Sequence, residues 1–216
     1  EVAASSNTPV ISPIFSKVQS SYTSSRIVKT APDKKGYKEK LLSHISDIYT
    51  NENIIIVGDS TETSIIQMNQ IANFLKQHDS ITNVHEIVPH NGYIAQERFL
   101  NVLKPDTLKV VNWVVMATRD AVIASDALNS LISFPDPEEP EEEEEAEEKI
   151  NYTVKVFSFE KGNIYNNIEN NSLAQLGFTY VSDRYVEESS LSVRTFNSQY
   201  LKKNNALPSY YSTRGF

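Results

Sequence analysis

The sequence contains no cysteine and only six glycines among its 216 residues. Without cysteine the chain can form neither disulfides nor cysteine-ligated zinc sites, and it has no thiol for catalysis. The few glycines include no pair at the spacing of a dinucleotide fingerprint or a nucleotide-binding loop, so we expect no cofactor. No apolar run approaches the roughly 18 residues that span a bilayer, and we therefore expect no membrane span in this chain.

The negative charge is concentrated in one segment. The net charge is −8, and nine glutamates between residues 138 and 148 supply more than all of it. The remaining chain lacks the broad basic face of nucleic-acid-binding proteins, so we expect no nucleic-acid partner. Prolines and self-repelling glutamates predict that residues 134–149 form a solvated, mobile and dispensable loop. A calcium or basic-partner contact is the alternative, but the run lacks the ligand spacing and the turn glycine of a calcium loop.

Apolar, β-branched runs alternate with amphipathic helical patterns along the chain. Strands are predicted at residues 9–13, 53–58, 82–88, 109–116, 153–157 and 178–181, and helices at 34–49, 61–78, 93–103, 120–133 and 190–203. Several of these strands are apolar without alternation, which is typical of strands that are covered on both faces. The pattern predicts an α/β fold, in which helices flank a mainly parallel, Rossmann-like sheet with right-handed crossovers.

Gly58-Asp59-Ser60 follows a predicted buried strand and resembles the first block of the Gly-Asp-Ser hydrolases, in which the serine is the nucleophile. That family places an aspartate three residues before a histidine near its C-terminus. None of the four histidines of this chain has an aspartate at that position: His44, His78, His85 and His90. A serine without a base is a weak nucleophile. We therefore favour the interpretation that Asp59, Ser60 and Thr61 cap the next helix, and we predict no catalytic residue.

His85 and His90 are the remaining candidates for a metal site. Asp79 and Glu86 lie nearby in sequence, but zinc sites need three or four converging ligands. We interpret both histidines as ordinary surface or hydrogen-bonded side chains and predict no metal.

Several segments together resemble the branched-chain amino-acid-binding proteins and related receptors, which have the type 1 periplasmic-binding-protein fold. They are residues 9–13, residues 53–64, the Lys104-Pro105-Asp106 turn into residues 110–116, residues 174–180, and the aromatic segments 196–200 and 208–216. The resemblance implies a non-enzymatic protein that binds a small polar ligand, often an amino acid, in a cleft between two lobes. Closure about a hinge is the usual signal in such proteins.

The resemblance also implies a domain organisation. Residues 1–33 would be the tail of lobe 1 and a crossover, residues 34–207 lobe 2, and residues 208–216 a crossover back to lobe 1, so the chain would be an excised fragment. It further implies a periplasmic or cell-envelope location and a transport or sensory role. Envelope proteins or peptidoglycan would then be reached through modules outside this chain. The alternative is an envelope scaffold or interaction domain with a vestigial cleft.

The resemblance and the strand ends give six candidate ligand-binding residues: Ser16, Asp59, Thr63, Thr118, Arg119 and Glu160. Glu160 matches an acidic residue that holds a ligand ammonium group, or else is an exposed turn acid. Arg119 suits a ligand carboxylate or a local salt bridge with Asp120. Thr63, Thr118 and Arg119 fall where the family places cleft aromatics. Since ligands bind at the carboxyl ends of parallel strands, we expect Ser16, Thr63, Arg119 and Glu160 to converge there.

Overall fold

The structure is a computed structural model that describes residues 8–12, 19–21, 25–29, 33–77, 81, 83–134, 150–182 and 190–209. The chain divides into two compact units, residues 1–181 and residues 182–216, and each is described by itself. Ser16, His78, the acidic residues 138–148 and residues 210–216 lie outside the described residues. The predictions for them therefore stay predictions.

Seven strands form two sheets in the first unit. They are β1 (Val10–Ser12), β2 (Ile27–Lys29), β3 (Asn53–Val57), β4 (Val84–Ile87), β5 (Asn112–Met116), β6 (Val154–Ser158) and β7 (Thr179–Tyr180). The larger sheet has the order β4-β3-β5-β6-β7, and each neighbouring pair in it is parallel. The predicted α/β fold with a parallel sheet is confirmed.

Helices alternate with these strands. They are α1 (Lys34–Ile48), α2 (Glu62–Lys76), α3 (Gln96–Leu100), α4 (Ala121–Ile132) and α5 (Asn170–Gln175), with α6 (Leu191–Asn204) in the second unit. Short 3-10 helices cover Gln19–Ser21, Asp106–Leu108 and Asn163–Tyr165.

The sheet is covered on both faces because its strands alternate between two apolar clusters. Ile55 of β3 belongs to a cluster with Leu128 of α4. Its neighbour Ile56 belongs to the other cluster, with Met68 of α2 and Leu41 of α1. Successive side chains of a strand point to opposite faces, so the unbroken apolar run of β3 supplies both cores at once.

Two predicted elements are shorter than expected, and the backbone shows why. The helix predicted at residues 93–103 is reduced to α3, because Asn91 (φ 53°) and Gly92 (φ 85°) form a turn that is closed by a bridge between His90 and Tyr93. The strand predicted from residue 109 begins at Asn112, because Lys109 has a left-handed backbone (φ 54°) that ends the preceding 3-10 helix. Strand β2 was not predicted.

The smaller sheet is a two-stranded parallel pair, β1 with β2. Its apolar side chains are unusually open to solvent: Val10 is 39%, Ile11 68% and Val28 49% exposed. Parallel strands are normally buried on both faces, and two strands alone are marginally stable in water. This pair therefore has apolar residues typical of buried strands, yet these residues are exposed.

The second unit contains α6, which matches the helix predicted at residues 190–203. The hydroxyl of Ser190 accepts a hydrogen bond from the backbone N–H of Val193, and this bond caps the helix. The helix ends at Asn205, which adopts a left-handed conformation (φ 52°).

Candidate functional site

The candidate site lies where the strand order reverses. Strands β4 and β5 lie on opposite sides of β3. The helix that follows β3, α2, packs on one face of the sheet, whereas α4, which follows β5, packs on the other. The loops that leave β3 and β5 therefore diverge at the carboxyl edge of the sheet. Such a switch point is where open parallel sheets leave a crevice for ligands.

The carboxylate of Asp59 joins these two loops. Its Oδ2 accepts a hydrogen bond from Thr118 Oγ1 at 2.6 Å, across the gap between β3 and β5. Its Oδ1 accepts hydrogen bonds from the backbone N–H of Thr61 at 2.9 Å and from the Thr61 hydroxyl. The backbone N–H of Arg119 donates to the same carboxylate. Asp59 is only 6% exposed, so these four donors replace the water that burial removes.

The same contacts set the protonation state of Asp59. Burial by itself raises the pKa, because it disfavours the charged carboxylate. Hydrogen bonds from the side chains of Thr118 and Thr61, and from the backbone of Thr61 and Arg119, stabilise the charge and outweigh burial. The pKa of Asp59 is consequently below its ordinary value. Asp59 is a carboxylate at neutral pH and a weak proton acceptor.

Close packing around Gly58 fixes the first loop. The backbone N–H of Asp59 donates to Ser64 Oγ at 2.8 Å. A Cβ on residue 58 would lie 2.0 Å from the sulfur of Met68 and 2.9 Å from Ser64 Oγ, so a larger residue at this position would force the Met68 side chain to move. Thr61 caps α2 by accepting a hydrogen bond from the backbone N–H of Ser64, as predicted. Asp59, which was predicted to share this capping role, instead accepts a hydrogen bond from the backbone N–H of Thr61.

The second loop is built from Thr118 and the cap of α4. The Thr118 hydroxyl donates to Asp59 and accepts from the backbone N–H of Asp120 at 3.0 Å. Asp120 Oδ1 in turn accepts from the backbone N–H groups of Val122 and Ile123, at 2.8 and 3.2 Å. The carboxylate of Asp120 is therefore engaged in capping α4, whereas Arg119 is exposed.

The third loop follows β6, the next strand along the edge. The Ser158 hydroxyl donates to the backbone carbonyl of Glu160 at 2.9 Å and lies 2.9 Å from the hydroxyl of Tyr165. Ser158 is 4% and Tyr165 1% exposed. Burial raises the pKa of Tyr165 to about 12, because it disfavours the charged phenolate. The Tyr165 hydroxyl is thus a neutral donor at all physiological pH values.

Four of the six candidate residues lie in the loops at the strand ends. Asp59 contacts Thr118 directly, Arg119 follows Thr118, and the half-buried Glu160 lies in the third loop. Thr63 is exposed in the first turn of α2, with its hydroxyl 3.2 Å from that of Thr61. The sixth candidate, Ser16, is outside the described residues.

Sequence reasoning missed the buried hydroxyl pair of Ser158 and Tyr165 and the role of Ser64. The available signal was a polar residue at the carboxyl end of an apolar strand. The partners of that residue are set by tertiary contacts that the pattern does not reveal.

Within the described residues, no group of three histidine, aspartate or glutamate side chains is placed to hold a metal ion. His85 lies in β4, where burial and the positive charge of Lys104 lower its pKa. Among the same residues, no helix has the length and apolar character needed to cross a bilayer.

Comparison of the chain with protein-family models, curated proteins and solved structures gives no significant match. The likeness to amino-acid-binding receptors therefore rests on the sequence segments quoted above, and the fold class rests on the strand order and direction.

Proposed function

We propose that the chain is a non-catalytic module that binds a small polar ligand at the carboxyl edge of its five-stranded sheet. It would serve as a ligand-binding or sensory part of a cell-envelope protein, similar to the amino-acid-binding receptors of ABC transporters. The observation that carries this proposal is the switch point between β3 and β5, where the hydrogen bond between Asp59 and Thr118 links the two loops that leave these strands.

The residues that follow these strands suit a small polar ligand. The exposed Thr63 lies in the first turn of α2, and the exposed Arg119 lies on the loop that follows β5. A guanidinium pairs bidentately with a carboxylate, and the acid Glu160 on the third loop suits an ammonium group. A free amino acid carries both groups. Asp59 has a supporting role in this arrangement, because its carboxylate is already occupied by donors of the chain.

The electrostatics of the crevice support binding rather than hydrolysis. The lowered pKa of Asp59 makes it a weak base. Ser60 is exposed, and no histidine of the described residues makes a hydrogen bond to it. A serine nucleophile needs such a base within hydrogen-bond reach. These features favour the binding module over the Gly-Asp-Ser esterase.

The smaller sheet supports a two-lobed organisation. Val10, Ile11 and Val28 are exposed in a parallel pair that is separate from the five-stranded sheet. Apolar parallel strands are expected within a larger covered sheet. We therefore infer that residues 1–33 lead into a different lobe, although they belong to the same compact unit as the five-stranded sheet. In that arrangement the crevice described here is one wall of a cleft.

The proposal can be tested by titrating the 216-residue chain with free amino acids and short peptides, and by measuring binding with calorimetry and NMR. We expect weak binding, because one wall of a cleft leaves much of the ligand exposed to water. Arg119→Ala and Glu160→Gln should each weaken it. Lys76→Ala, at the far end of α2, and Glu97→Gln, on α3, remove equivalent exposed charges and should leave binding unchanged.

Other outcomes would favour the alternatives. A ligand whose affinity is unaffected by both Arg119→Ala and Glu160→Gln would refute the site. Failure of every amino acid and short peptide to bind would favour the scaffold with a vestigial cleft. Hydrolysis of p-nitrophenyl acetate that disappears in Ser60→Ala would favour the esterase.

A further inference from the structure

The third loop contains a polar side chain in an apolar row of the sheet. Ser158 lies beside Met116, which in turn lies beside Val57, and Val57 lies beside Ile87. These neighbours are buried apolar residues on the α4 face. Ser158 is equally buried, at 4% exposure. A hydroxyl in such a row is costly unless it is fully hydrogen-bonded, so its partners indicate why it is there.

The hydrogen atoms in this cluster can be assigned by counting. A hydroxyl has one proton to donate. The Ser158 hydroxyl donates its proton to the backbone carbonyl of Glu160. The contact between Ser158 and Tyr165 must therefore be donated by the Tyr165 hydroxyl. The result is a directed chain of two hydrogen bonds, from Tyr165 to Ser158 and from Ser158 to the main chain of Glu160.

We propose that Ser158 and Tyr165 are positioning residues of the candidate ligand site, which hold the main chain at Glu160 in one conformation. This inference rests on the proposed function, because it concerns the same crevice. It adds that the placement of Glu160 is set from the interior of the protein, by two side chains that a ligand in the crevice does not reach.

The anchor of this chain of bonds is well suited to the task. Tyr165 is 1% exposed, and its ring packs edge-on against Phe178 with centroids 4.8 Å apart. The 3-10 helix that carries Tyr165 begins after Gly162 and contacts α4. Between Ser158 and this helix the main chain turns through Phe159, Glu160 and Lys161, which are only half-buried or exposed. The carbonyl bond ties this more open turn to a rigid interior.

Ser158→Ala, Tyr165→Phe and the double variant test the proposal. The readouts are the NMR carbonyl shift of Glu160, amide exchange at residues 160–162, and the free energy of unfolding. Ser158→Ala should shift the carbonyl resonance and speed exchange by about tenfold, since it deletes a buried hydrogen bond. Tyr165→Phe should have a smaller effect on the loop, because Ser158 can still donate to Glu160.

The double variant separates positioning from stability. Ser158→Ala leaves the buried Tyr165 hydroxyl without its acceptor, whereas the double variant removes that hydroxyl as well, so part of the stability lost in Ser158→Ala should return. The loop should nevertheless stay as loose as in Ser158→Ala. Recovery of slow exchange together with stability would mean that the pair is merely structural, and would overturn the proposal.

A matched control removes a hydroxyl that has no such link. Ser125 on α4 has a buried Oγ without a hydrogen-bond partner in the described part of the chain. Ser125→Ala should leave the Glu160 resonance and the exchange of residues 160–162 unchanged. An equal response in Ser125→Ala and Ser158→Ala would also overturn the proposal.

Titration with free amino acids tests whether the conformation of the third loop affects ligand binding. Those amino acids that Glu160→Gln weakens should also be weakened by Ser158→Ala, and unaffected by Ser125→Ala. If none binds to the wild-type chain, the proposed function fails, whereas the loop readouts still decide whether Ser158 and Tyr165 fix Glu160. Unchanged affinity in a loosened Ser158→Ala loop would refute the link to binding.

Discussion

The amino edge of the five-stranded sheet, where its strands begin, and the carboxyl edge, where they end, each have a buried polar contact between β3 and its neighbour β5. At the amino edge Asn53 contacts Asn112, and at the carboxyl edge Asp59 contacts Thr118. Both pairs have the same separation in sequence, 59 residues. This equality follows from the parallel register, which pairs Asn53 with Asn112 and Val57 with Met116 and continues into the loops.

The amino-edge contact is neutral and closes on the main chain. Asn112 accepts from Asn53 Nδ2 at 2.9 Å and from the backbone N–H of Lys104 at 2.8 Å. Its own amide donates to the carbonyls of Lys104 and Thr153. Asn112 is completely buried. These bonds tie the turn before β5 to the sheet, and both side chains of the pair are buried.

The carboxyl-edge contact is charged, and exposed residues flank it. Asp59 and Thr118 are buried, but Ser60 and Arg119 next to them are exposed. Polar pairs at corresponding positions of two parallel strands can therefore have different structural roles. A neutral amide pair fixes the register and a turn, whereas a buried carboxylate links two loops in which the neighbouring residues Ser60 and Arg119 are exposed.

The largest expected effect is at the amino edge. Asn112→Ala should lower the free energy of unfolding by about 3 kcal/mol, because several buried main-chain groups would lose their partner. Asn53→Ala should cost less, since the Asn53 Oδ1 is buried without a partner in the described part of the chain. Urea unfolding of both variants, with the exposed Asn129→Ala as control, measures the difference. Equal costs for Asn53→Ala and Asn112→Ala would contradict this account.

A somewhat smaller effect is expected at the carboxyl edge. Asp59→Asn should cost about 2 kcal/mol at neutral pH, because hydrogen bonds to a charged group are stronger than neutral ones. Since the pKa of Asp59 is lowered in the folded state, its contribution is present above the unfolded pKa of about 4 and is lost as the pH falls through the folded value. Asp59→Asn should therefore unfold with a weaker pH dependence in acid.

Unfolding curves measured between neutral and strongly acid pH test this prediction. The pKa of Glu52 is lowered too, because hydrogen bonds from Thr50 and Asn51 outweigh its burial, so the wild-type chain has other acid-sensitive groups. The difference between the wild-type chain and Asp59→Asn isolates Asp59. Asp47→Asn, at an exposed position on α1, is the control. Parallel curves for the wild-type chain and Asp59→Asn would contradict the prediction.

The smallest effect is expected for the acidic segment, which connects α4 to β6. Replacing the eleven residues 138–148 with a short Gly/Ser linker should change the free energy of unfolding by no more than about 0.6 kcal/mol, since loop closure depends weakly on length. A linker of equal length separates loss of charge from loss of length. A large fall in melting temperature with either linker would show that the segment stabilises the fold.

The sequence was sufficient to predict those elements whose pattern is local. β3 and β5 were recognisable because unbroken apolar runs such as Ile54–Val57 occur where both faces of a strand are covered. The cap at Thr61 was recognisable because it depends on residues within one turn. The length of α3 was overestimated. Residues 93–95 fit the helical apolar pattern, but the turn at Asn91 and Gly92 is closed by a bridge that includes Tyr93, so the helix begins only at Gln96.

The contacts that build the candidate site were beyond local reasoning. Asp59 and Thr118 were each identified as residues after a strand, but their hydrogen bond depends on β5 lying next to β3 rather than next to β4. That order is decided by how the helices cover the two faces. The bonds of Ser158 depend in the same way on the position of Tyr165, which is fixed by its ring packing.

The close contact at Gly58 has a consequence for how related sequences can vary. A Cβ on residue 58 would occupy the space that the sulfur of Met68 now fills. Alanine or serine at position 58 therefore requires that the Met68 side chain move or that position 68 carry a shorter side chain, such as valine. Substitutions at the two positions should be correlated across natural variants, so that this pair forms a covariation signal for the loop that is independent of any ligand.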